Sequence, residues 1–358
     1  MSSNLPSAPL AAPGAPGVPP SAARRSGGPP RRSRWPVVLA ATYGIATLLV
    51  LGAWALVGDP WWLQPLNLTT FWWPLPAFVL AVPALLARRW RALAWLGVPI
   101  LAWTWIYGTA FLPPADVARA APADLRVVSY NTYVATPDAS HVVDLVAETD
   151  PDIVLLVEVF PSRQAELEEA FATTLPHTTT VQSEGVGGVM VASRHPIVEV
   201  DRVPVVDGAR SSVRVVLDVD GVAVQVVPVH LRSPCVACGD SVADRLSLEG
   251  RSREAEMAAV LEVLDPELPT IVGGDFNSTE RSLPYRELVG AGFDDPQRAA
   301  GRGPGFTWPV GSDVLPGPVV RIDWLMSRGL DPVAAWVAPS GPSDHHPVVA
   351  TFRFEESS

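Results

Sequence analysis

Residues 270–277 read Thr-Ile-Val-Gly-Gly-Asp-Phe-Asn (TIVGGDFN), a short β-rich run that ends in two polar side chains, Asp275 and Asn277. A strand bound for a core carries apolar residues to its end, so this polar ending asks for an explanation. The same ending recurs along the chain. LRVVSYN finishes at Asn131, DIVLLVEV carries Glu158 and AVQVVPVH finishes at His230. Near the C-terminus, RIDWL holds Asp323 and PSDHHP holds Asp344 and His345.

Taken singly, each residue has an ordinary structural reading. Asn and Asp favour turns at strand ends, and a lone buried His is usually a hydrogen-bonded core residue. Taken together they read differently. Carboxylates, amides and two imidazoles at the same ends of buried strands are expected to converge on one cleft, and buried carboxylates without partners are costly unless a cation joins them. Glu158 with Asp344 or Asp275 offers hard oxygen ligands suited to Mg²⁺ or Mn²⁺, with coordination positions left for water and a phosphate oxygen. Zinc fits less well, because few imidazole and thiolate ligands are present.

Around these residues the pattern is mixed α/β from Leu125 onward. Helical segments are expected at His141–Glu148, Arg163–Leu175 and Arg251–Leu264, set among strands such as GVMVAS, IVEVDRVPVV, SVRVVLDV and AVQVVPVH. Asp220-Gly221 marks a hairpin turn between the last two. The strands return at RIDWLMS, VAAWVAP and HPVVATFRF, so a mixed α/β domain with more sheet than helix is expected.

The first hundred residues obey another solvent. Ten of the 13 Trp lie between Trp35 and Trp105, a stretch with one acidic residue, Asp59. Residues 1–34 are rich in Pro, Gly, Ala, Ser and Arg and cannot bury enough apolar area to fold, so a disordered tail is expected. Three membrane spans are expected within 35–112: Trp35–Val57, Leu68–Ala87 and Ala92–Leu112. Arg24 to Arg34 precede the first, and Arg88, Arg89 and Arg91 separate the second from the third. The positive-inside rule then places the N-terminus in the cytoplasm. Three crossings, followed by a linker at 113–123, deliver residues 124–358 outside the cytoplasm.

All 26 basic residues are Arg, and beyond residue 91 there are 18 of them against 36 acidic residues, a net charge of −18. Proteins that grip long polyanions usually carry a basic stripe, so duplex nucleic acid is a disfavoured partner.

The order and wording of these segments resemble the endonuclease/exonuclease/phosphatase superfamily over about Leu125–Phe354. The matching pieces are SYN at Asn131, the strand with Glu158, VHL with His230, GDFN with Asp275 and Asn277, RID with Asp323, and SDHHPV with Asp344 and His345. The resemblance implies a four-layer α/β sandwich that hydrolyses phosphoesters. It implies Glu158 as principal metal ligand, supported by Asn131 and Asp344, and His345 oriented by Asp323 to activate or protonate at the phosphate. His230 and Asn277 would bind phosphate oxygens, and Asp275 would orient or deprotonate the attacking water. Whether Asp275 or His345 is the base stays open.

Two departures stand out. Val157 occupies the place where the superfamily usually has Gln before the metal-binding Glu, and His346 falls where it varies. Cys235 and Cys238 form a CxxC in a loop after His230, read as a loop-closing disulfide, with free thiols or a redox role as alternatives. Arg210, Arg214 and Arg232 are read as surface or paired residues and left outside the site.

The plan of three spans plus a catalytic domain is also similar to membrane-bound actinobacterial members linked to glycopeptide resistance. It implies a substrate carried by the lipid bilayer, a lipid-linked phosphate or pyrophosphate. The alternatives are a tethered extracytoplasmic DNase and a non-catalytic membrane sensor. Every matched polar position is filled, which argues against the sensor.

Overall fold

The computed structural model describes residues 33–112, 124–133, 135–136, 138–183, 185, 187–204, 210–233, 241–339 and 341–354. The expected linker at 113–123 and the Cys235–Cys238 pair lie outside the described residues, as does all but the end of the N-terminal tail.

Four helices come first: α1 (Trp35–Leu56), α2 (Gln64–Leu68), α3 (Pro76–Leu86) and α4 (Trp90–Tyr107), the last extended by a 3₁₀ turn, Gly108–Phe111. Among the described residues, two helices are long and apolar enough to cross a membrane, Trp35–Leu56 and Trp90–Phe111. The expectation of three full spans is therefore corrected. α3 is 11 residues long, about 16 Å at 1.5 Å per residue, against a hydrocarbon core of about 30 Å. Proline is the cause. Pro74 and Pro76 lack the N–H that would continue a helix from Leu68, so the chain turns through 69–75 and restarts with proline in the first turn of α3.

α1, α3 and α4 alternate in direction. Arg89 Nη1 donates to Ser33 O at 3.3 Å, so the start of α1 sits beside the α3–α4 turn, and α1 and α4 run the same way while α3 runs back. Arg34, Arg88, Arg89 and Arg91 thus gather at one end of the bundle. The other end meets the α/β domain, where Gly303 N donates to Ala110 O at 2.8 Å and Trp72 Nε1 to Val319 O at 2.7 Å.

Among the described residues, the domain holds eleven strands. In chain order its elements are β1 (Leu125–Asn131), α5 (Ser140–Thr149), β2 (Ile153–Val159), α6 (Pro161–Phe171), β3 (His177–Val181), β4 (Gly188–Ser193), β5 (Ile197–Arg202), β6 (Val213–Val219) and β7 (Val222–His230). Then follow α7 (Val242–Glu262), β8 (Thr270–Asp275), α8 (Leu283–Gly290), α9 (Pro296–Ala299), β9 (Asp323–Arg328), β10 (Leu330–Val337) and β11 (Val348–Phe354). One sheet has the order β10-β11-β1-β2-β4-β3 and the other β5-β6-β7-β8-β9.

Period-two patterning builds the layers. In β1 and β2, Val127, Ile153 and Leu155 face inward onto Val215, Val226 and Ile271 of the second sheet. Their neighbours Val128, Val154 and Leu156 face outward onto Leu145 of α5 and Leu167 of α6. On the other side, Val227 and Val272 pack against Met257 of α7 and Leu288 of α8. The result is helix, sheet, sheet, helix, the four-layer sandwich expected. The hairpin at Asp220-Gly221 joins β6 to β7 with φ +53° and +91°, the left-handed pair that a tight two-residue turn requires. α7 begins nine residues ahead of the expected Arg251, because Ser241 Oγ accepts from Asp244 N at 3.1 Å and caps it there.

Topology explains the cleft. β1 and β2 are parallel, as are β7 and β8, so Asn131, Glu158, His230 and Asp275 end their strands on the same side. β9 is antiparallel to β8, which sets Asp323 opposite Asp275. β11 is antiparallel to β1, which brings the loop ahead of Val348, with Asp344 and His345, to the same edge.

Candidate active site

A cavity of about 350 Å³ opens at that edge, lined in part by Glu158, His230, Asp275, Asn277, Asp344 and His345. A larger depression of about 740 Å³ near Gln297 and Trp336 holds none of the predicted residues. The chemistry therefore belongs to the smaller one.

Glu158 reaches the cavity through a backbone irregularity. The β2–β4 register shifts between Val157 and Val159, and Glu158 sits in the bulge with φ +62°. A bulge re-aims a side chain, and a non-glycine residue in this region is held there at a cost of about 1–3 kcal/mol. Two devices hold it. Arg163 Nη2 donates to Glu158 O at 2.9 Å. Gly187 passes so close that an added Cβ would lie 2.7 Å from the Glu158 carbonyl carbon. Val157, by contrast, fills the core between the sheets and offers the cleft no hydrogen bond.

Asn131 ties two carboxylates together: its Nδ2 donates to Glu158 Oε1 at 3.2 Å and to Asp275 Oδ2 at 3.1 Å, while its Oδ1 accepts from Tyr133 N at 3.0 Å. Asn277 Nδ2 donates to the same Asp275 oxygen at 3.0 Å and to Leu231 O at 3.0 Å. His230 Nε2 stands 3.5 Å from Glu158 Oε1 and 3.7 Å from Asp275 Oδ2. His345 Nδ1 donates to Asp323 Oδ2 at 2.8 Å, which points Nε2 into the cavity, 3.9 Å from both Asp275 Oδ2 and Asp344 Oδ1. All eight predicted residues are thus brought together.

Their protonation is pushed apart. Burial, with the Asp323 carboxylate beside it, raises Asp275 to about 7, against the pull of His345, the Asn277 N–H and Arg210. Burial works to lower His345, yet Asp323, Asp275 and Asp344 outweigh it and raise this imidazole to about 10. His230 is held well below its usual value by burial and by Arg210 and His345. One cleft therefore offers a cationic imidazole, a neutral one and a carboxyl group that titrates near neutrality. Groups so separated suit opposite halves of an acid–base reaction.

The donor set fits a hard divalent cation. Asp323 Oδ1 and Asp344 Oδ1 are buried without a hydrogen-bond partner among the described residues, and such oxygens are costly unless something positive joins them. Asp275, Asp323 and His345 place ligand atoms within 4.8 Å of one another and could hold a metal ion. Asp323 Oδ2 is already committed to His345, and the carboxylates of Glu158 and Asp344 line the same cavity.

Six residues of the lining were not in the expected set, Arg210, Trp308 and Leu68 among them. Arg210, read as a surface residue, lines the cavity and is fixed by donating from Nη1 to Leu231 O at 3.1 Å. Trp308 Nε1 donates to Asp344 Oδ2 at 3.3 Å. Leu68, from α2, lines the same cavity. Arg214 is engaged elsewhere, with Glu199 and Asp201. His346 does not line the cavity, and its N–H donates to Thr307 O.

The model of the Endonuclease/Exonuclease/phosphatase family matches residues 128–345. The chain belongs to this family. Among solved structures, it is similar to an endonuclease/exonuclease/phosphatase from Beutenbergia cavernae DSM 12333, at 25% identity and TM-score 0.52, over 64% of this chain and 72% of that one. It also resembles a functionally unknown conserved protein from Enterococcus faecalis V583, at 20% identity and TM-score 0.53, over 64% and 100%. A humanized D. rerio TDP2 matches at 17% identity and TM-score 0.52, over 64% and 99%. The last two likenesses concern the fold alone. Comparison with curated proteins gave no match.

Proposed function

We propose that the protein is a membrane-anchored, Mg²⁺- or Mn²⁺-dependent phosphoester hydrolase of the membrane-bound actinobacterial type, acting outside the cytoplasm on a lipid-linked phosphate or pyrophosphate. The observation that carries the hydrolase reading is the meeting of His345 Nε2 with Asp275 and Asp344 at 3.9 Å each, in a cavity that also holds Glu158, His230 and Asn277. Hydrolysis adds a water oxygen to phosphorus and breaks the bond to the leaving oxygen, moving one proton off the water and one onto the leaving group. Asp275 is placed to take the first, and the raised His345 holds the second. Neutral His230 would donate to a non-bridging oxygen, and Asn277 would do so by exchanging one of its hydrogen bonds to Asp275 or Leu231. A divalent ion held by Glu158 and Asp344, with Asn131 beside them, would neutralise charge on those oxygens.

The membrane reading is supported by the two long apolar helices, the alternating directions of α1, α3 and α4 and the four Arg at the end remote from the domain. The net charge of −18 beyond residue 91 disfavours a nuclease. The test is phosphate release by the full chain in detergent from polyprenyl diphosphate, phospholipid, inositol phosphate and DNA, with Mg²⁺ and with chelator. Metal-dependent release from the lipids supports the reading, and cleavage of DNA alone replaces it with the nuclease. A reporter active only outside the cytoplasm, fused after Phe354, is expected to be active.

A further inference from the structure

The segment between α1 and α3 is built into the catalytic domain. Gln64 Nε2 donates to Leu246 O at 2.9 Å, and Arg253 Nη2 donates to Gln64 Oε1 at 3.1 Å. Gly250, mid-helix in α7, makes the approach possible, since a Cβ there would lie 2.2 Å from Gln64 Nε2. On the next turn, Asn67 accepts from Trp54 Nε1 at 2.7 Å and donates to Asp59 Oδ1 at 2.6 Å. Its carbonyl accepts from Thr279 Oγ1 at 2.8 Å, two residues beyond Asn277. α2 is therefore fastened to the loop that carries Asp275 and Asn277, and its last residue, Leu68, enters the cavity wall.

An apolar wall contributed by the anchor has a chemical meaning. Leu68 is 37% exposed, and Trp61, Trp62 and Trp72 of the same segment are 43%, 45% and 40% exposed. Indole rings collect at the boundary between hydrocarbon and water, and these lie at the end of the bundle where α1 and α4 reach the domain. A small hydrophilic phosphoester gains nothing from Leu68. An aliphatic chain attached to the phosphate would gain by covering the leucine.

Resting on the hydrolase reading above, we infer that Leu68 is a specificity residue for amphiphilic substrates: the anchor forms the side of the catalytic cleft along which the aliphatic chain of a lipid phosphate passes into the membrane.

The experiment uses the full chain in vesicles, comparing Leu68→Ser with wild type on polyprenyl diphosphate and on a hydrophilic, water-soluble phosphoester without an aliphatic chain. Loss of one leucine contact should lower the ratio of kcat/KM on the lipid to that on the soluble substrate about tenfold, and Leu68→Met should restore it. A photoreactive side chain at position 68, in a Glu158→Gln background, should cross-link to the long-chain lipid. An unchanged ratio, an equal loss on both substrates, or no lipid adduct overturns the inference while leaving the hydrolase reading intact. Failure of that reading is seen separately, as no phosphate released from any lipid by the wild-type protein.

Discussion

His345 and Asp323 form a buried pair, Nδ1 to Oδ2 at 2.8 Å, that fixes which ring nitrogen faces the cavity. Thr307 Oγ1 accepts from Asp323 N at 3.3 Å, and Ser343 Oγ accepts from His345 N at 3.1 Å. Both partners are thus positioned from their backbones before any substrate arrives. Asp323→Asn keeps the shape but removes a carboxylate that holds the imidazole at about 10. The His345 pKa should fall, so the limb of the pH–rate profile that reports loss of its proton should move to lower pH. kcat should drop by about 10²–10⁴-fold. The pH dependence of kcat/KM, with histidine NMR titration, checks both.

The same pair has a stability consequence in metal-free protein. A histidine whose folded pKa is raised stabilises the fold fully below its ordinary 6.5, and this contribution is lost as pH rises toward about 10. Asp275, raised to about 7 from 3.8, adds a cost over its own interval as it ionises. Both signs agree, so chelated protein should become less stable to denaturant from about pH 4 to 10, through Asp275 up to about 7 and through His345 from 6.5 upward, and Asp323→Asn should flatten the upper part of that loss.

Glu158→Gln removes a charge from the proposed ion site while keeping side-chain volume. The Mg²⁺ concentration for half-maximal activity should rise at least about tenfold, with the circular dichroism spectrum unchanged. A metal requirement equal to wild type would remove Glu158 from the ligand set.

Gly187→Ala tests the bulge beneath Glu158. The position has φ +72°, and the new methyl would meet the Glu158 carbonyl carbon at 2.7 Å. We expect a stability loss of about 2 kcal/mol or more by denaturant titration, together with reduced metal affinity as the carboxylate is displaced.

Much of this site was legible because it follows from period-two strands. Polar ends at Asn131, Glu158, His230 and Asp275 could be read directly, and parallel pairing of β1 with β2 and β7 with β8 turns a list of ends into one cleft. What could not be read depends on contacts distant in sequence or on local backbone geometry. The bulge at Glu158 leaves no mark in the alternation of VLLVEV. Arg210 looks like any solvated arginine until the fold sets it beside Leu231. α2 gives no hint that Gln64 reaches Arg253, 189 residues away. The shortness of α3 was signalled by Pro74 and Pro76, a cue outweighed by the hydropathy of the stretch.

The central claim is that this cleft hydrolyses phosphoester or phosphoanhydride bonds with a divalent ion. Its most direct test is phosphate release by the full chain in vesicles carrying polyprenyl diphosphate, with Mg²⁺ or with chelator, for wild type and His345→Ala. Release that requires Mg²⁺ and vanishes in His345→Ala is the predicted result. Release that persists under chelation, or that survives the loss of His345, would contradict the account.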